Sequence, residues 1–231
     1  MTVIRKGAVL LAGLMALSAA NAATIYDNTS NDKSTRFSPG TLEVGDEINF
    51  GGSSLDRVLT SFSFEYYGLS TVPGDFAGDV TARVKFYYNN GMPASGYLSP
   101  GTSFYDSGWF SINPTYNADP ALDGRATLVF TAGSDNIPSN GLMLPTKMTF
   151  SVQFAGLGLG DDVGLDIYSP PTVGTSQDDY WERDAINGTW TLKNNTAGPI
   201  NFAANFQAVP EPASALLFAM GLIAFAGFRR K

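Results

Sequence analysis

The chain has 231 residues and contains neither cysteine nor histidine. Their absence excludes a disulfide-stapled scaffold, thiol catalysis, Cys-ligated metals, imidazole acid–base chemistry and any Ser-His-Asp arrangement. The formal net charge is −7, but between Thr24 and Ala208 nine Lys and Arg stand against 20 Asp and Glu, a balance of −11 that repels phosphate backbones and argues against nucleic acid as a partner.

Residues 1–22 read as a secretory signal peptide, expected to be helical. Arg5 and Lys6 form its positive start, and Gly7 to Ala20 is apolar apart from Ser18. Ala20-Asn21-Ala22 supplies the small-x-small pattern that signal peptidase accepts, which places the cut between Ala22 and Ala23.

From residue 23 to 207 the dominant signal is period-two alternation. Val58, Phe62, Phe64 and Tyr66 share one face of a predicted strand, with Ser61, Ser63 and Glu65 on the other. The stretches Val80 to Tyr88, Met148 to Phe154 and Phe202 to Phe206 alternate in the same way. Shorter predicted strands are Ile48 to Phe50, Phe104 to Ile112, Ala126 to Phe130, Val163 to Tyr168 and Thr189 to Leu192. No segment here keeps a helical period, and glycine and proline fall mostly between the strands, as turns require. Strands with one polar face fit antiparallel sheets packed face to face. The expected fold is therefore all-β, an antiparallel, jelly-roll-like β-sandwich of about eight to ten strands. A closed barrel fits the same periodicity.

Between Asp161 and Asp184 lies an acidic cluster that includes Asp161, Asp162, Asp178 and Asp179, with Trp181 among them. Carboxylates in such loops can bind Ca²⁺ through several oxygens, and a Trp can stack on a sugar ring. The spacing matches no EF-hand loop, so solvated turn residues are the reading it favours. Trp109 and Trp190 lie in strand-like runs and are expected in the core, whereas Trp181, flanked by charges, is expected to be exposed. Twenty acidic residues make accidental carboxylate pairs inevitable, so a glycosidase pair cannot be read from spacing alone.

The chain closes on Val209-Pro210-Glu211-Pro212, an uncharged apolar run from Ala213 to Phe228, and Arg229-Arg230-Lys231. Residues 208–212 read as a linker and 213–231 as a hydrophobic helix with a basic tail. A helix of 16 apolar residues reaches about 24 Å and can span a bilayer with snorkelling arginines. The basic cluster sets it cytoplasmic-side in, leaving the preceding domain outside.

Pro210-Glu211-Pro212, the apolar helix and the basic end together resemble the PEP-CTERM sorting signal of Gram-negative bacteria. The resemblance implies recognition by an exosortase, a membrane-embedded cysteine protease that cuts near the motif, in species that make extracellular polysaccharide. Three internal segments also look like stretches of other exported PEP-CTERM proteins: Ala82-Arg83-Val84-Lys85-Phe86-Tyr87, Tyr105-Asp106-Ser107-Gly108-Trp109-Phe110 and Asp179-Tyr180-Trp181-Glu182-Arg183. The expectation is thus a non-enzymatic protein of the cell surface, envelope or biofilm matrix, transiently anchored in the inner membrane and requiring no cofactor. A carbohydrate-binding module for extracellular polysaccharide is the alternative, and a carboxylate-based glycoside hydrolase stands behind both.

Overall fold

The computed structural model describes residues 21–52, 56–72, 74–115, 124–194 and 198–210. The strands in chain order are β1 (Ala23–Asp27), β2 (Asp32–Phe37), β3 (Glu43–Asn49), β4 (Asp56–Leu69), β5 (Thr81–Tyr87), β6 (Pro93–Ala94), β7 (Tyr97–Leu98), β8 (Ser103–Asp106) and β9 (Phe110–Ser111). They continue as β10 (Arg125–Thr131), β11 (Leu142–Met143), β12 (Lys147–Ala155), β13 (Asp162–Tyr168), β14 (Thr175–Ser176), β15 (Asp179–Arg183), β16 (Trp190–Asn194) and β17 (Ala204–Pro210).

The alternating strands form two antiparallel sheets. The first has the order β1-β17-β4-β13-β2, with β10 and β11 on the free side of β4. The second runs β16-β15-β3-β12-β5-β8, with β14 beside β3 and β9 beside β5. Among the described residues no strand of one sheet pairs with a strand of the other, so the fold is a sandwich and not a closed barrel. The apolar sets face each other across it. Phe62 of β4 meets Phe86 of β5 with ring centroids 4.9 Å apart, and Phe150 of β12 meets Phe206 of β17 at 5.9 Å. Edge-to-face contacts of this kind add to the area that Phe buries.

The strands of four residues or more number twelve among the described residues, more than the alternation alone suggests. The additions are the short β1, whose Ile25 and Tyr26 are buried, and two polar strands. Asp32–Phe37 is exposed along almost its whole length and carries no apolar face to read. Asp179–Arg183 is a strand, although its charges read as loop. The stretch from Phe104 to Ile112 is broken in two, with Gly108 at φ +71° in the gap. The break is bonded on both sides, since the Ser107 N–H donates to Val84 O and the Val84 N–H donates to Ser107 Oγ, each at 2.9 Å.

One carboxylate faces the core. On β3, Val44, Asp46 and Ile48 point inward, and Asp46 is completely buried. Its two oxygens accept from Ser176 Oγ at 2.5 Å and from the Phe202 N–H at 2.9 Å. Burial without a cation raises its pKa well above the carboxylate range.

The last strand corrects the expected linker. Ala208 is buried and Val209 and Pro210 pair with Val58 and Asp56, so β17 extends three residues into the segment 208–212. Its apolar alternation, Phe206 then Ala208, continues the core. Ala23 pairs with Ala208, so the start of β1 lies beside the end of β17. The signal helix over 1–22 with Ala20, except for Asn21 and Ala22, and the C-terminal helix and tail with Glu211, Pro212, Arg229, Arg230 and Lys231, lie outside the described residues.

Candidate functional site

The acidic cluster read from the sequence is taken apart by the fold. Asp161 sits in a turn where its carboxylate accepts from the backbone N–H groups of Ala77, Gly78 and Gly158 at 2.8–2.9 Å. Those bonds, acting against desolvation, hold its pKa below the usual value. Asp162 accepts from Ser38 Oγ at 2.6 Å. Asp178 and Asp179 lie at the start of β15, and burial raises the pKa of Asp179. Among the described residues no three acidic side chains lie close enough to hold a metal ion. The expectation for Trp181 is reversed, because it is only 1% exposed while Trp109 is 45% exposed. Trp181 is flanked by charges in sequence, but it pairs with Gly45 on the polar face of the second sheet, which is itself covered. Trp109 is released to solvent by the break between β8 and β9.

That covered face is where the polar chemistry gathers. Thr149 and Ser151 point away from the core and are nevertheless buried. In a flat sheet β16 and β5 would stand four strand spacings apart, roughly 19 Å. The Trp190 ring of β16 instead lies 5.4 Å from the Tyr87 ring of β5. The sheet is therefore curled, and the β15–β16 hairpin folds back over its outer face. The cleft beneath, about 430 Å³, is lined by Glu43, Arg83, Lys85, Gln153, Arg183 and the 184–188 turn.

Glu43 is the hub of this face. Its Oε1 accepts from Tyr87 OH at 2.8 Å and Ser151 Oγ at 2.7 Å, and its Oε2 from Arg183 at 2.9 Å. Lys85 Nζ adds an ion pair at 3.5 Å. One carboxylate thus ties β3 to β12, β5 and β15. Burial opposes its charge, but the bonds from Ser151 and Arg183 outweigh it and the Glu43 pKa is lowered. At the far side Arg83 forms a two-point pair with Asp106, through Nε–Oδ1 at 2.8 Å and a second, shorter contact to Oδ2. The Arg83 hydrogen bond lowers the Asp106 pKa. The Arg83 guanidinium also stands 5.7 Å from the Trp109 ring centroid. At the near side Asp184 caps its own turn by accepting from the N–H groups of Ile186 and Asn187.

None of these cleft residues stands out as a motif, because Glu43 and Arg183 are 140 positions apart. A signal was nevertheless present. The three internal segments singled out in the sequence supply Arg83, Lys85 and Tyr87, then Asp106 and Trp109, then Arg183, and the fold brings all of them to this one face.

Residues 208–231 match the PEP-CTERM protein-sorting motif. No curated protein and no solved structure shows a significant match to the chain. The motif implies a bacterial protein that is exported, anchored in the membrane and sorted by an exosortase.

Proposed function

We propose that this is a non-enzymatic protein of the cell surface or extracellular matrix of a Gram-negative bacterium, exported through the Sec route and delivered through its tail. The observation that carries this reading is the junction at Pro210. The last core strand ends there and the sorting motif continues from it, so the domain is joined to its address with almost no spacer. Signal peptidase and exosortase act on the ends, and the sandwich is what remains to work outside.

The chemistry of the cleft supports the non-enzymatic part. A glycosidase needs one carboxyl kept protonated as general acid. The two carboxyls that line the cleft, Glu43 and Asp184, both have lowered pKa values. The carboxyls with raised values, Asp46, Glu47 and Asp179, do not line the cleft. A second reading, favoured by exposed Trp109 beside Arg83 at the cleft, is that the domain binds extracellular polysaccharide there.

Deleting residues 211–231 tests the sorting claim while leaving β17 intact. The truncated protein should leave the envelope and accumulate, folded, in the culture medium. Unchanged fractionation with the cell envelope would refute delivery through the tail.

A further inference from the structure

We infer that the outer-face cleft takes an acidic polysaccharide, one whose sugars carry carboxylate or sulfate groups. The inference rests on the polysaccharide-binding reading above and adds the charge of the ligand.

Three of the nine Lys and Arg in the segment between Thr24 and Ala208 line this one cleft, in a segment whose overall balance is −11. The central acceptor of the cleft is already engaged. Glu43 receives four partners, while Asp106 beside the cleft is held by Arg83 at both oxygens and Asp184 on its rim caps its turn through Oδ1. The donors are not all used. The Lys85 side chain is 11% exposed, and its one contact among the described residues is the 3.5 Å pair with Glu43. An ammonium carries three donors and is costly to desolvate with some of them empty. A cleft with three cations around an engaged central carboxylate suits a ligand that brings acceptors itself. A neutral sugar offers hydroxyls that need both kinds of partner, whereas a carboxylate or sulfate offers acceptors only.

The remaining requirements are met around Lys85. The cleft, about 430 Å³, lies within the size range of small-ligand sites and holds a short sugar segment. Trp109, exposed and braced by Arg83, supplies an apolar plate for a ring face at one side. Asn187 stands exposed on the turn at the other side, where its Oδ1 accepts from the Thr189 N–H. Among the described residues this cleft gathers three cations in a segment that is acidic overall, so an anionic sugar segment is attracted there locally.

The test uses the full-length protein in mild detergent and two forms of one polymer, polygalacturonate and its methyl ester, with dextran and xylan as neutral controls. Titration calorimetry should show binding of the acid form, at least about tenfold tighter than the ester, or about 1.4 kcal/mol. Raising salt from ~0.05 to ~0.5 M should weaken the acid form and leave the ester unchanged. Lys85→Gln should remove the preference for the acid form, and Trp109→Ala should weaken both forms. The salt series on the parent protein decides the charge even if Lys85→Gln fails to fold. Equal binding of acid and ester, insensitive to salt, would overturn the inference while leaving the polysaccharide reading standing. No binding of any of the four polymers would overturn both.

Discussion

Two buried carboxylates on the same strand behave in opposite ways because of what surrounds them. Glu43 and Asp46 both lie on β3, but one faces cations while the other is buried in the core with neutral partners only, the Ser176 hydroxyl and the Phe202 N–H. Glu43 has a lowered pKa, so its contribution to stability is complete above the unfolded value of about 4.3 and is lost as pH falls below it. Asp46 has a raised pKa, so the folded state holds a proton that the unfolded chain has already released above about pH 3.9. Stability is then lost as pH rises from there through the folded value. Asp46→Asn keeps an acceptor for the Phe202 N–H and removes the titration. Its thermal midpoint should therefore exceed that of the parent at neutral pH, with the gap closing as pH falls toward about 4. Parallel midpoint curves for the two proteins from about pH 3 to 8 would show that Asp46 does not titrate in the folded state as its burial requires.

The β15–β16 hairpin is the element that turns an ordinary polar sheet face into a cleft. It carries Trp181 and Arg183 on one strand and Trp190 on the other, and it curls until Trp190 meets Tyr87. Trp181 is therefore a packing residue. Trp181→Ala should lower stability by about 3–5 kcal/mol, as large-to-small changes at buried aromatics do. Trp109→Ala, at an exposed site outside the core, should change it by less than about 0.5 kcal/mol. Urea unfolding of both variants separates the two roles, and equal losses would mean that the assigned exposures are wrong. The same hairpin explains why charge pattern misleads here. Asp179, Glu182 and Arg183 read as solvated loop, yet Glu182 pairs with Lys193 across the hairpin at 3.3 Å and Arg183 reaches Glu43 on the next strand.

At the scale of the whole molecule, the two ends of the sandwich leave from one place. Ala23 and Ala208 are antiparallel neighbours, so the described chain begins and ends at the same end of the first sheet. Their Cα atoms, about 4.5–5.5 Å apart as cross-strand partners, lie within the disulfide range of about 4.4–6.8 Å. The chain has no cysteine of its own, so Ala23→Cys with Ala208→Cys should form one bridge on oxidation, visible as a faster band on a non-reducing gel. A folded double variant that stays reduced under the same oxidant would contradict the shared exit. The sequence alone determined the all-β class, the faces of β4, β5 and β12, and the sorting tail, because alternation and terminal signals are written in neighbouring residues. It could not give β2 or β15, whose polar residues carry no alternation. It misplaced both Trp109 and Trp181, because exposure depends on what crosses over a strand. Only the tertiary structure decided the Glu43 hub, the cleft and the shared exit. Each is made by strands paired far apart along the chain, and local segments do not report which of them the fold brings together.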